Sequence, residues 1–433
     1  MAHDMGQSHN LKKAIKLRHA VALYVSSVLG SGVLVLPGLA AQIAGPASLV
    51  AWIVLAAASY PFAFMFASLS ARRPESGGIY GFAKESFGFP VAVVSGWLFA
   101  FWYITGAPAA TLIAASYLAY AFPMSKFAIF LIAGTILCLA FVINYRGIVF
   151  SNRIQLGVIA AIIALLVVAV LFSLGSIQAA NFIPFAPNGY LAIGTAAALI
   201  FWSYLGYENV SNVAEEFENP QRDFRRSILL SVILISALYL AIAIAIIGTS
   251  SYKAGGSVAP FAAILSNVLG SYGGAGTAVL AIVIIFATIN AYTAGMSRVV
   301  LAIARDHGLP KWLDHVDQKT GTPTRSLMLL SWAGLLALGL YYFFQVNLQT
   351  ALQIPSGAAI LVYIIGSAAG TRLLHEKGLQ GSFPWISLIL SIVLLPFVGI
   401  AVIGSILAGL IAYAYVRYRK RPGTIPASET TEI

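Results

Sequence analysis

Glu208 is the only acidic side chain that falls within an apolar span of this chain. A carboxylate costs several kcal/mol at bilayer depth, so an acid in that position is read first as a binding or proton-handling group. Its surroundings, Phe201-Trp202-Ser203-Tyr204-Leu205-Gly206-Tyr207-Glu208-Asn209, hold too much Gly, Asn and aromatic character for an unbroken lipid-facing helix. Gly30-Ser31-Gly32-Val33, set between apolar flanks and followed by Pro37, is a second interruption of the same kind. A break in a membrane helix frees the leading N–H groups of its second half, at the positive end of the dipole, and the last carbonyls of its first half. Ser31, Gly32 and Val33 are therefore expected to hold a carboxylate, with Gly30 and Gly32 letting the ligand approach the main chain. The carbonyls of the first break, and those of residues 201–205 ahead of Gly206, suit an ammonium group. Chemistry of this kind grips a zwitterion with few charged side chains.

The remainder of such a ligand is expected to meet Gly106, Ala107, Ala110, Phe201, Trp202, Leu205 and Asn290, which are small, apolar or neutral. A cationic ligand needs a second carboxylate, and none is at hand if Glu208 serves protons, so a neutral ligand is expected. Two readings of Trp202 stand side by side: a gate or stacking surface for the ligand, and ordinary aromatic packing. Glu208 likewise either takes up and releases a proton or bonds the freed backbone of its own break. Sodium is a weaker alternative to the proton, with Thr288 and Thr293 as its candidate oxygens. Close packing at small residues also brings glycines into membrane helices. Gly30 and Gly32, two apart, lie on different helix faces, which favours a ligand site over packing.

These residues need spans to position them. Of the 433 residues, 60% are hydrophobic and 9% charged, and the mean hydropathy is +0.89, which describes a polytopic membrane protein embedded in a lipid bilayer. Apolar runs at 19–44, 48–71, 89–122, 127–144, 154–174, 192–213, 227–247, 272–304, 326–344 and 350–371, with a pair of short ones within 383–416, predict about 12 transmembrane helices in an all-α fold. With segment 1–18 and tail 417–433 cytoplasmic, all 25 Lys and Arg except Lys126 and Lys253 fall on the inner side. The positive-inside rule thereby sets orientation in a cell inner (plasma) membrane. It also requires a hairpin near residues 396–399, since a single final helix would strand Arg417, Arg419, Lys420 and Arg421 outside.

The net charge of +11 follows from those loops and does not point to nucleic acid. A lone cysteine, Cys138, excludes an internal disulfide, and no Cys/His spacing suits a metal, so neither metal nor cofactor is expected. The six histidines and every Asp lie outside the spans or at their ends, which argues against an intramembrane enzyme.

Residues 19–174 and 190–371 share a layout of five helices, the first interrupted and the third unusually long. Five is odd, so the second copy is inverted. Paired interruptions at matching positions mark a transport site at the bilayer midplane. Within this frame Gly30-Ser31-Gly32-Val33, the loop Pro74-Glu75-Ser76-Gly77-Gly78-Ile79-Tyr80, the stretch from Phe201 to Glu208 with Asn219-Pro220-Gln221-Arg222 beyond, and Ala304-Arg305-Asp306-His307-Gly308-Leu309-Pro310 occur in order. Together they resemble the amino acid/polyamine/organocation (APC) superfamily of transporters. The resemblance extends to arginine/agmatine-type antiporters at Leu36-Pro37, Trp202 and Glu208, and to bacterial exporters of methionine and branched-chain amino acids at Glu216-Phe217-Glu218-Asn219-Pro220. It implies a LeuT-like 5+5 inverted repeat and amino-acid transport by alternating access, coupled to protons. One departure stands out: some proton-coupled members carry a lysine seven residues after the position of Gln155, and this chain has Ile162 there.

Overall fold

In hydrocarbon every backbone N–H and C=O must find its partner within the protein, and apolar runs of about 20 residues achieve this as helices. The computed structural model describes residues 17, 21, 24–25, 28–72, 78–147, 152–207, 220–253, 255–376 and 378–418. Glu208 and the charged run after it, residues 74–77 and the tail beyond 418 lie outside the described residues. Every regular element among the described residues is an α or 3-10 helix. The α-helices are α1 (Leu36–Ala44), α2 (Ser48–Arg72), α3 (Ile79–Phe87), α4 (Phe89–Ala121), α5 (Lys126–Tyr145), α6 (Asn152–Ser173), α7 (Leu191–Ile200), α8 (Pro220–Gly248), α9 (Pro260–Leu269), α10 (Ser271–Arg305), α11 (Thr324–Phe343), α12 (Leu348–Leu373), α13 (Leu379–Leu394) and α14 (Val402–Tyr418).

Nine stretches among the described residues are long and apolar enough to cross a membrane, so the chain is a multi-pass membrane protein. Two of the nine contain a turn. Leu36–Ser70 bends at the 3-10 link Gly45–Ala47, between α1 and α2. Leu379–Tyr418 bends within Leu395–Ala401, where Gly399 adopts φ +67°, a conformation that only glycine reaches without steric cost. Beyond that turn the chain returns to the end it left. Pro384 of α13 sits against Gly370 of α12, Tyr415 of α14 packs on Trp97 of α4, and Arg372 links these ends by donating to the Ser86 carbonyl and covering Phe87.

Helices α3 and α9 stand where the apolar runs predict only loop. At 9 and 10 residues they are too short to cross. α3 buries Ile79, Phe82 and Ala83 and leaves Lys84 and Glu85 exposed, as a helix lying along the bundle surface must.

Two packing groups organise the bundle. α1, α2, α7 and α8 lean on one another, while α4 packs against α5, α10 and α11, which also touch among themselves. α4 and α10 are the longest helices, with 33 and 35 residues, and so must tilt to fit the bilayer. The loops expected to carry the cations gather at one end, where Lys84 Nζ lies 2.7 Å from Asp306 Oδ2 and Arg305 Nε 3.0 Å from Asp314 Oδ1. At the opposite end Lys126 bonds Gln345 and Asn188 Nδ2 donates to the Ile43 carbonyl at 2.8 Å.

Candidate functional site

Both sequence interruptions are breaks in the backbone. The first helix makes its last turn with the Leu29 N–H donating to the Val25 carbonyl at 2.8 Å. Gly30 is then extended (φ −106°, ψ −160°), and the chain re-enters through a 3-10 turn, Ser31–Leu34, before α1. Pro37 falls in the first turn of α1, where a missing N–H carries little cost. At the second break α7 tightens into the 3-10 turn Phe201–Tyr204, after which Leu205 is extended and Gly206 takes φ +120°. The two 3-10 turns touch each other, and the first also touches α4 and α10. The leading N–H groups of the first turn have no partner within it. They thus come to the same place as the carbonyls of the second.

A cavity opens at this junction. The breaks contribute Gly30, Ser31, Gly32, Trp202, Ser203 and Leu205 to its wall. α4 presents Phe99, Trp102, Tyr103, Gly106, Ala107 and Ala110, which recur at the spacing of one helix face. α10 adds Thr288, Ile289, Tyr292 and Met296. No charged side chain occurs among the described residues that line it. On α4 the lining spans Phe99 to Ala110, about the middle of the helix, and on α10 it runs from the midpoint at Thr288 to Met296, on the side of the cationic end.

Trp202 lies across the wall between two glycines. A Cβ on Gly32 would stand 2.9 Å from Trp202 Cδ1, and one on Gly106 would stand 2.7 Å from Cη2, so the indole occupies the space that both lack. Beside it, the Ser203 hydroxyl is buried without a partner among the described residues and would lie 3.2 Å from a Cβ on Gly32. It is free to bond a ligand. Beyond the indole, away from the cationic end, the Tyr117 hydroxyl donates to the Leu34 carbonyl and ties α4 to the first turn.

Of the residues singled out from sequence, Gly30, Ser31, Gly32, Gly106, Ala107, Ala110, Trp202, Leu205 and Thr288 line the cavity, while Val33, Phe201, Gly206, Asn290 and Thr293 are not among the lining residues. Val33 is fully buried. Phe201 packs against Phe62 and Tyr363 at ring separations of 5.7 and 5.1 Å. Gly206 supplies the bend. Thr293 gives its hydroxyl to the Ile289 carbonyl at 2.7 Å and also contacts the Tyr103 hydroxyl, and Thr288 donates to the Ile284 carbonyl at 2.8 Å. Glu208, the proposed proton carrier, lies outside the described residues.

Asn290 faces α5 and not the cavity. Asn144 Nδ2 donates to its Oδ1 at 2.8 Å and also reaches the Ala140 carbonyl at 2.8 Å. A polar residue in a span finds either a ligand or another helix, and sequence does not say which. Interhelical hydrogen bonds in membranes contribute about 0.6 kcal/mol on average. Asn290→Leu is therefore expected to lower the thermal midpoint by about 1–2 °C and leave ligand affinity within about twofold, as a thermal-shift titration would show.

Sequence reasoning missed Phe99, Trp102, Tyr103, Tyr292 and Met296. Gly106, Ala107 and Ala110 stood out by being small, whereas large apolar residues on an all-apolar helix carry no mark of which face is lipid and which is cavity. The available signal was the helical spacing itself, carried from Gly106 back to Tyr103, Trp102 and Phe99.

The sequence pattern of the family described as amino acid permease matches residues 15–417. Over 367 residues the chain is 34% identical to an uncharacterized amino acid permease, YecA, of Bacillus subtilis, covering 85% of this chain and 87% of that protein. It is 32% identical over 374 residues to the L-methionine/branched-chain amino acid exporter YjeH of Escherichia coli, covering 85% and 88%. A vacuolar cationic amino acid transporter 4 of Arabidopsis thaliana is 27% identical over 370 residues, covering 78% of this chain and 60% of that protein.

Proposed function

Because the chain belongs to the amino acid permease family, within the APC superfamily, we propose that it carries neutral amino acids across the membrane by alternating access, with a proton moving through Glu208. The observation that carries this reading is the convergence of two helix breaks on a cavity whose described lining holds no charge. In it the N–H groups of Ser31–Leu34 take the substrate carboxylate, and the carbonyls of the breaks take the ammonium group. The aromatic and small residues of α4, with Trp202, Ile289 and Met296, surround an apolar side chain. A cationic side chain would be left without a counter-ion there, at a cost of several kcal/mol. The name of the Escherichia coli relative, an exporter of methionine and branched-chain amino acids, is in keeping with such a ligand.

The architecture that serves this mechanism has twelve spans, in two inverted repeats at 19–174 and 190–371 and a terminal pair at 383–416, with segment 1–18 and tail 417–433 cytoplasmic. The group α1, α2, α7 and α8, which holds both breaks, rocks against α4, α5, α10 and α11. Extension of the cavity towards the cationic end, with Trp202 and the Tyr117–Leu34 bond barring the other, supports an inward-facing arrangement.

A thermal-shift screen of the purified protein against the amino acids at two pH values tests the ligand class. Stabilisation by methionine, leucine, isoleucine or valine is expected, and stabilisation by arginine or lysine alone would contradict the assignment. The coupling role rests on Glu208 as the acid of a broken helix. Glu208→Gln is expected to flatten the pH profile of transport while leaving binding in place, and a profile unchanged from wild type would remove the proton role. Sodium, drawing on Thr288 and Thr293, is the competing coupling ion, and it would show as transport that stops when choline replaces sodium.

A further inference from the structure

Tyr239 of α8 is fully buried, and its hydroxyl lies 3.0 Å from the Ser203 carbonyl and 3.3 Å from the Val28 carbonyl. Val28 is the last helical residue before the first break, and Ser203 belongs to the 3-10 turn of the second. A phenolic hydroxyl has one proton, so the two carbonyls share a single donor. The ring that delivers it is fixed edge-on by Trp52 at 5.3 Å and Tyr204 at 5.4 Å. The Val28 carbonyl also accepts from the Gly30 N–H at 2.8 Å, and the phenol from a neighbouring helix is a donor that the two breaks have in common.

We infer that Tyr239 is a positioning residue that yokes the two breaks, holding the chain ends of one at a set distance from those of the other. The N–H donors after Val28 and the carbonyls around Ser203 then keep one spacing while their helix group moves, and the two halves of the site form together. The yoke is a property of the backbone geometry. Its effect on ligand binding rests on the transport function proposed above.

The test is Tyr239→Phe in the full-length protein, which keeps the ring between Trp52 and Tyr204 and removes only the hydroxyl. Tyr341→Phe is the control, because it deletes another buried phenol-to-carbonyl bond, to Thr105 at 3.1 Å on α4, between two residues that belong to neither break. Hydrogen exchange read by mass spectrometry is expected to quicken at least tenfold at both 28–34 and 201–206 in Tyr239→Phe, and at neither in Tyr341→Phe. Acceleration at one break alone, at neither, or equally in the control would overturn the yoke. Where wild type binds an amino acid, Tyr239→Phe should weaken that affinity about tenfold and Tyr341→Phe should not. Should wild type bind none, the exchange result still decides the yoke, and it is the transport function that fails.

Discussion

Gly32→Val is expected to abolish amino-acid binding while the protein remains folded and monodisperse. A Cβ at this position would stand 2.9 Å from Trp202 Cδ1, 3.0 Å from Leu36 Cδ1 and 3.2 Å from Ser203 Oγ. Clashes with a flexible side chain are cheap to relieve, but Trp202 cannot withdraw towards α4, where its far edge already fills the space over Gly106, and the room left to it is the cavity that it lines. Added methyl groups therefore push the indole into the cavity or the 3-10 turn off its N–H geometry, at about 1–3 kcal/mol of overpacking. That penalty is small for a fold and large for a ligand, because tenfold in affinity is about 1.4 kcal/mol. Affinity should fall about tenfold in Gly32→Ala and about a hundredfold in the valine variant, measured by thermal-shift titration beside a size-exclusion profile. Wild-type binding by Gly32→Val would remove the first break from the site.

The second large effect comes from the other side of the same ring. In Gly106→Val the new Cβ would stand 2.7 Å from Trp202 Cη2 and 3.4 Å from Pro355 Cβ, so transport should fall at least a hundredfold. If the cause is the wedged indole, shortening that side chain relieves it. Gly106→Val combined with Trp202→Leu should then transport within about tenfold of Trp202→Leu alone. Residues in contact show this non-additivity, and independent ones do not. A double variant whose loss equals the product of the two single losses would mean that Trp202 is not wedged between the glycines.

How far the sequence disclosed this arrangement depended on whether a residue broke the chemistry of its surroundings. Gly30, Gly32 and Gly206 were legible because glycine among apolar residues is costly to a helix and so marks a break. The long α4 and α10 were legible from run length alone, and the turn at Gly399 from the charges that follow it. Helices α3 and α9 escaped notice because a search for spans passes over nine or ten residues. Asn290 drew attention by its polarity and proved to serve Asn144. Tyr103, Trp102 and Phe99 drew none, since large apolar residues on an apolar helix carry no mark of their own, and only the helical spacing from Gly106 puts them on its face. Tyr239 was equally silent: an aromatic in an apolar run carries no sign that its hydroxyl reaches two separate breaks.

Counterflow in proteoliposomes tests the central claim most directly, because exchange of labelled for unlabelled substrate requires a site that faces each side in turn. Vesicles loaded with unlabelled methionine or leucine should accumulate the labelled amino acid from outside, and external arginine should not compete. Accumulation should vanish in Gly32→Val. Exchange confined to arginine or lysine, or no exchange of any amino acid by folded protein, would contradict a neutral zwitterion held between two broken helices.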